Sequence, residues 1–386
     1  MIGIEKTLGK RKVRAIPPNY KKKVELLLSY GDISIDGDQP WDIHVHNNDF
    51  YPRLMATGSL GLGESYMEGW WDCDSLDQFF FKILSAELDS KVRVFKEMFD
   101  VLKSKLINYQ KLSRAFDIGK QHYDIGNNLY QHMLDRRMLY SCGYWRVAST
   151  LDEAQEAKLD LLFRKLDLRP GMKVLDIGCG WGGAAGFAAE RYDVEVVGIT
   201  VSEEQIKLGR EKCKGLPVDL RLQDYRSLNE KFDRIFSIGM FEHVGYKNYE
   251  TFFRIVKKCL KENGLFLLHT IGNNRTMTKT DPWINCYIFP CSLIPSAKQI
   301  TTNFDSLFVL EDWHNFGADY DKTLMAWYRN FNNNWDVIKK DYDETFYRMW
   351  KYYLLCCAGS FRARKTQLWQ IVLSESGVPG VYRSCR

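Results

Sequence analysis

Several things are missing from this 386-residue sequence, and each absence narrows what it can be. No apolar run approaches the roughly 20 residues that a membrane-crossing helix needs, so any meeting with a bilayer is expected at its surface. No apolar stretch of signal-peptide type follows the basic start, and a cytoplasmic chain with reduced thiols is expected. None of the ten cysteines forms a CxxC pair and no Cys/His cluster has zinc spacing, so no metal site is expected. There is no internal repeat and no low-complexity tract. Bulk charge is also modest, at +5, but it is unevenly placed. Residues 1–23 hold eight Lys/Arg (Lys6, Lys10, Arg11, Lys12, Arg14, Lys21, Lys22, Lys23) against the single acid Glu5. Such a run is either a solvated tail or an electrostatic footprint for an anionic surface.

What is present in quantity is aromatic side chain, 14% of the residues. Aromatic rings build large cores, and they also line pockets for apolar ligands or cations. Residues 24–90 read as a small separate unit. KKVELLLSYG has helical spacing ended by Gly31, DISIDG and DIHVHN alternate as half-buried strands do, and SLGLGESYMEGWW is glycine-broken and aromatic. Residues 91–115 have helical apolar spacing with basic residues between, as in an amphipathic linker or a surface-lying helix. From about residue 120, strand-length apolar runs alternate with helical stretches: KVLDIG, VEVVGIT, DLRLQD, FDRIFSIG, LFLLHTIG, FVLEDWHNF and LWQIVLS. Seven strands with intervening helices predict an α/β, doubly wound, Rossmann-like domain. The connection over residues 273–303 is long and carries aromatic residues and prolines, the composition of a functional loop.

The most informative stretch is VLDIGCGWGG, residues 174–183. A buried strand ends in Asp176 and gives way to a turn with Gly178, Gly180, Gly182 and Gly183, where the backbone can turn tightly and a ligand can approach it. A glycine turn alone also suits a dinucleotide. Three details favour S-adenosylmethionine: the GxGxG spacing after D-I-G, the ITVSEEQ that follows the second strand, and a third strand ending in QDYR, where Asp224 is placed to accept from an adenine amino group. The acid that usually ends the second strand to bind ribose hydroxyls is absent; Thr200 stands there, with Ser202 and Gln205 following. Together these motifs resemble the class I S-adenosylmethionine methyltransferases. The resemblance implies the cofactor set Tyr140, Ser141, Asp176, Gly178, Gly180, Gly182, Thr200, Ser202, Gln205, Gln223, Asp224, Tyr225 and Ile238.

Beyond the cofactor motifs, the sequence is similar to the cyclopropane-fatty-acyl-phospholipid synthase family over nearly all of the chain from about residue 24. The carriers are SLGLGESYMEGWWDCD, HYDIGNNLY, MLYSCGYW, GMFEHVG, LLHTIG, DPWIN, EDWHNFGADYDKTLMAWY and CAGSFRAR. The resemblance implies an N-terminal lipid- or membrane-binding domain (1–90), a helical linker (91–119), a catalytic domain (120–386) and a homodimer. It implies unsaturated phospholipids as partners at the inner, anionic membrane face, with no role for nucleic acid. It also implies a bound bicarbonate ion, held by Cys142, Glu242, His269, Ile271 and Tyr320.

The chemistry gives those residue types a purpose. An alkene that attacks a sulfonium methyl leaves a carbocation, and closing a ring then needs loss of a proton from the new methyl. Such a site needs alignment, negative or π density near the cation, a base and exclusion of water. Tyr140, Trp145, Phe241 and Tyr320 are candidate aromatic faces. Cys357, in CAGSF, is a tempting nucleophile, but this alkyl transfer needs no covalent enzyme intermediate. Each residue has a plainer reading: His269 as a bonded core histidine, Glu242 as a helix cap, Cys142 as a small buried hydrophobe. Rival readings of the whole are a methyltransferase for small polar or protein acceptors, a non-catalytic docking protein on the same fold, and a mycolic-acid-type methyltransferase acting on carrier-bound chains.

Overall fold

The computed structural model describes residues 19–86 and 126–386. Most of the basic run and the helix expected over 91–115 lie outside the described residues. Helix α1 (Asn19–Ser29) buries Val24 and Leu28, one turn apart on the face that meets the core. The left-handed residue that closes its end is Asp32, at φ 53°, one position beyond the expected Gly31.

The two alternating segments that follow pair far less than their pattern predicts. Only β1 (His44–Val45) is a strand, and Ile35 and Ile43 make a single bridge. Carboxylates take over the ladder's role. Asp42 accepts the N–H groups of Ser34 and Gln39, and Asp36 Oδ1 accepts from the Val45 N–H. Side chains that satisfy the backbone locally compete with strand pairing. Then come α2 (Phe50–Thr57) and α3 (Ser59–Met67), so the glycine-bearing SLGLGESYM is helical. Strand β2 (Trp71–Asp72) pairs antiparallel with β1, and α4 (Leu76–Ser85) completes the unit.

The remainder runs α5 (Asn127–Met133), α6 (Leu151–Lys165), β3 (Lys173–Ile177), α7 (Gly183–Tyr192), β4 (Glu195–Thr200), α8 (Glu203–Lys212), β5 (Val218–Leu222) and β6 (Phe232–Ile238). It continues with α9 (Tyr249–Cys259), β7 (Leu260–Asn273), α10 (Pro282–Tyr287), α11 (Ala297–Phe304) and β8 (Val309–Asn315). Last come α12 (Ala318–Asn333), α13 (Trp335–Ile338), α14 (Glu344–Arg362) and β9 (Thr366–Ser374). The expected seven strands form one sheet in the order β5-β4-β3-β6-β7-β9-β8. Strands β3 to β7 run parallel, and β9 is antiparallel to both neighbours. The order reverses between β3 and β6, which opens a crevice at their carboxyl ends.

Two apolar clusters cover the sheet faces, one around Phe163, Phe187 and Phe236, the other around Phe241, Phe253 and Phe266. A third joins residues of α1 to α4 with α12 and α14, so the N-terminal unit shares a core with the helices beside the crevice. Arg362 adds a polar tie, bridging Asp77 on α4 and Asp321 on α12.

Candidate active site

The glycine turn sits where β3 ends. Gly178 has φ 90°, and a Cβ there would stand 2.6 Å from Met240 Cβ, so no other residue fits. Gly180 (φ 53°) meets nothing within 4 Å of an added Cβ, which leaves an open cradle over the turn. Across the crevice, Thr200 Oγ1 donates to Gln205 Oε1 at 2.9 Å, and Ser202 Oγ accepts from the Gln205 N–H as the cap of α8. A neutral hydroxyl–amide pair therefore occupies the place of the usual ribose-binding acid. Asp224 caps its own short turn and is ion-paired with Arg226, so its carboxylate is already partnered. Gln223 donates to Ser227 Oγ, and Tyr225 packs on Phe252. Ile238 ends β6 opposite His269.

Asp176 is buried, and its Oδ2 has no partner among the described residues. Burial pushes its carboxyl up to about 8, opposed by the charge of Lys158. Lys158 and Gln155 were not legible as site residues. They lie one turn apart on α6, both with no exposed surface. Lys158 Nζ donates to Ser141 Oγ at 2.9 Å; Gln155 Nε2 donates to the carbonyls of Leu139 and Ser141. Burial pushes Lys158 down to about 8, against the pull of Asp135 and other acidic neighbours. Asp135 in turn accepts the N–H groups of Arg137 and Leu139. The segment carrying Tyr140, Ser141 and Cys142 is thus braced from beneath by three buried polar side chains. The available signal was two polar residues, three apart, on the otherwise apolar face of QEAKLDLL.

The carboxyl ends of β6 and β7 bring the next group together. β6 stops at Ile238, while β7 continues to Asn273. The Ile271 N–H lies beyond the last β6 pairing and donates to Glu242 Oε1 at 2.7 Å. His269, two residues earlier on β7, lies on the same strand face as Ile271. Its cross-strand neighbour Gln370 has Nε2 at 3.4 Å from His269 Nδ1. With Gln370 donating, Nδ1 is the acceptor and the proton sits on Nε2. Three buried polar atoms here lack partners among the described residues: Glu242 Oε2, His269 Nε2 and Gln370 Oε1. Burial raises the Glu242 carboxyl, and burial followed by the charges of Lys158 and Lys165 holds His269 well below the usual histidine range. A neutral imidazole donor beside an open carboxyl oxygen fits a small ion that both accepts and donates, as bicarbonate does. Ile271 contributes by fixing Glu242, because its N–H is already used.

Tyr320 is buried nearby; its hydroxyl is raised by burial and then by Tyr353, Cys142 and Glu242. Cys142 has no exposed surface; its thiol donates to the Gly143 carbonyl and is also pushed up by burial. Tyr140 hydrogen-bonds Tyr353 through their hydroxyls at 2.7 Å, and Trp327 joins its ring to that of Tyr320, with centroids at 5.1 and 5.9 Å. Two expected aromatic faces fall elsewhere. Phe241 stacks on Tyr249 at 4.2 Å within the core on one side of the sheet, since adjacent residues of its tight turn point apart. Trp145 donates to Thr323 and lines an outer cleft of ≈ 280 Å³ with Lys322 and Arg329.

Cys357 is pushed up to about 12 by burial and by Asp281, so its thiol stays protonated near neutral pH and is a poor nucleophile. Cys357→Ser is expected to keep at least about half of wild-type turnover, as replacement of a non-reacting thiol should. A folded Cys357→Ser protein with no activity in a product assay would refute this.

The sheet order, the glycine turn after β3 and the crevice above it define a class I S-adenosylmethionine-dependent methyltransferase. The family described as mycolic acid cyclopropane synthetase matches residues 110–371, and the chain belongs to that family. It is 54% identical to cyclopropane-fatty-acyl-phospholipid synthase of Escherichia coli (strain K12) over 369 residues, 95% of this chain and 96% of the relative. Against cyclopropane mycolic acid synthase 2 of Mycobacterium leprae it is 34% identical over 68% of this chain and 95% of the relative. Among solved structures, the cyclopropane synthase MmaA2 from Mycobacterium tuberculosis superposes with a TM-score of 0.62 at 32% identity, covering 67% of this chain and 97% of that one. Mycolic acid cyclopropane synthase CmaA1, complexed with SAH and CTAB, superposes with 0.61 at 32% identity, covering 67% and 97%. No helix among the described residues is long and apolar enough to cross a membrane.

Proposed function

We propose that the protein is a cyclopropane-fatty-acyl-phospholipid synthase, which adds a methylene carbon from S-adenosylmethionine to the cis double bond of an unsaturated acyl chain in a membrane phospholipid. The observation that carries this reading is the 54% identity over 95% of the chain, N-terminal unit included. The mycolic-type relative covers only 68% of it. A carrier-bound acceptor would leave that extra unit without a task.

In the reaction, the alkene's electron pair forms a bond to the sulfonium methyl carbon while the carbon–sulfur bond breaks and sulfur keeps its pair. The other alkene carbon becomes cationic. Loss of a proton from the new methyl then closes the three-membered ring. Bicarbonate, held by Glu242 and His269 with Tyr320 and Cys142 alongside, would supply a compact proton acceptor. Glu242 orients that ion through Oε2, and its own position is set by the Ile271 N–H. His269 donates through Nε2 and stays neutral, so it adds no positive charge beside the cation. Tyr140, Tyr320 and Trp327 present π faces and keep water out. Asp176, Gly178, Gly180, Gly182 and Gln205 form the cradle for the cosubstrate, with Tyr140 and Ser141 facing it from the braced segment.

We further assign residues 1–90 to lipid and membrane contact, 91–119 to a linker and 120–386 to catalysis. A homodimer acting at the cytoplasmic, anionic membrane face completes the reading. The test is to incubate the protein with unsaturated phospholipid vesicles and methyl-labelled S-adenosylmethionine, then analyse the acyl chains by mass spectrometry. A gain of one CH2 with loss of the alkene is expected. Cosubstrate consumption with a methyl-branched or hydroxylated chain as the main product would replace the proposed reaction with another of the same fold.

A further inference from the structure

Two glycines inside α3 need a reason, since glycine in a helix interior costs about 1 kcal/mol relative to alanine. At Gly61 an added Cβ would strike the carbonyl of Arg53, 2.7 Å away. At Gly63 it would lie 2.3 Å from Cδ1 and 2.4 Å from Nε1 of Trp283, so the indole rests directly on the α3 backbone. Trp283 belongs to α10, in the long connection between β7 and β8. It is 1% exposed, and its ring also packs on Tyr352 at 4.4 Å. Its Nε1 is buried with no partner among the described residues, so shape and not a hydrogen bond holds it there. The next residue of α3, Glu64, accepts from the Tyr287 hydroxyl at 2.9 Å through Oε1 and is held by Arg53 through Oε2. Both ends of α10 are therefore pinned to the N-terminal unit.

The same connection then reaches the candidate site. The Phe289 ring meets Tyr353 at 5.7 Å, His243 at 5.8 Å and Tyr140 at 6.4 Å. Leu293 N–H donates to the backbone carbonyl of Glu242 at 2.8 Å. Residues 281–293 thus form one strap from α3 to the residue that holds the proposed ion.

From this we infer that Gly63 and Glu64 are positioning residues for catalysis: they seat the strap that roofs the candidate site at Tyr140 and Glu242, so the N-terminal unit acts on turnover and on the product formed. The inference rests on the cyclopropanation reading for its product side only. A loosened roof admits water, and water at the cationic carbon gives an alcohol in place of the ring.

The variants are Gly63→Ala, Tyr287→Phe and Glu64→Gln in the full chain. Each is assayed on unsaturated phospholipid vesicles for release of S-adenosylhomocysteine, acyl product and vesicle binding. For Gly63→Ala, kcat is expected to fall about tenfold, within the range that misplacing a reacting group produces. The hydroxylated chain is expected to rise against the cyclopropane, with vesicle binding unchanged. Tyr287→Phe and Glu64→Gln should shift the same ratio to a smaller degree. A Trp283→Leu background separates the seat from general damage, because the indole that the added methyl would strike is gone and Gly63→Ala should have a much smaller further effect. Unchanged kcat and product ratio in Gly63→Ala, or a loss confined to vesicle binding, would overturn the inference. If the wild-type chain makes no cyclopropane, the functional reading fails, and the seat is still judged on S-adenosylhomocysteine release.

Discussion

Glu242→Gln is expected to lower turnover by about two to four orders of magnitude, the range for losing a positioned acid–base system, with cosubstrate affinity within about twofold of wild type. The substitution is chosen because the amide oxygen can still accept the Ile271 N–H, which now bonds Glu242 Oε1 at 2.7 Å. The fold at the β7 end therefore keeps its hydrogen bond. What changes is the second oxygen, Oε2, buried and without a partner among the described residues. In glutamine that position carries an NH2 group, a donor only, beside the Nε2 donor of neutral His269. The proposed bicarbonate, which would donate one hydrogen bond and accept another, would lose its acceptor. Mass-spectrometric counting of cyclopropanated chains, with calorimetric titration of the cosubstrate, checks both halves. Near-normal turnover would remove Glu242 from the site.

The second large effect is expected at Lys158. Lys158→Met keeps the length of the side chain and removes a cation that has no exposed surface. Ser141 Oγ loses its donor, and Asp135 and Asp176 are left buried without their positive neighbour. Leaving a buried hydrogen-bonding group without its partner costs about 1–3 kcal/mol. Denaturant unfolding should show that loss, and cosubstrate affinity should fall about tenfold, the equivalent of one hydrogen bond. Adding Asp176→Asn should recover part of the lost stability, since without the Lys158 charge burial raises the Asp176 carboxyl further, and an amide needs no proton taken up on folding. Strict additivity of the two changes, or a Lys158→Met protein as stable as wild type, would show that the pair does not communicate.

The parallel half of the fold was readable because its signals are local. A fully buried strand is a continuous apolar run, and a ligand-binding turn must be glycine where φ is positive, as at Gly178 and Gly180. Where short polar side chains could replace ladder bonds, the pattern misled. Asp36 and Asp42 satisfy the backbone of residues 34–45 and leave only two residues of strand. The braces were harder still. Gln155, Lys158 and Gln370 are polar residues on apolar faces, and nothing in their own neighbourhoods names the atoms they bond. Phe241 and Trp145 show the converse, aromatic residues beside motif positions whose rings point away from the site.

The sequence by itself determined the order of strands and helices, the place of the cosubstrate turn and the residue types on which this chemistry depends. All of these follow from periodicity, from glycine's freedom at positive φ and from what the proposed transfer from a sulfonium to an alkene would require. Only the tertiary structure decided that Glu242 is aimed by Ile271, that Lys158 supports the segment bearing Cys142, and that α3 of the N-terminal unit seats the strap ending at Glu242. Those contacts join residues 17 to 223 positions apart, and hydrogen bonding and close packing at that range depend on where the whole chain has gone.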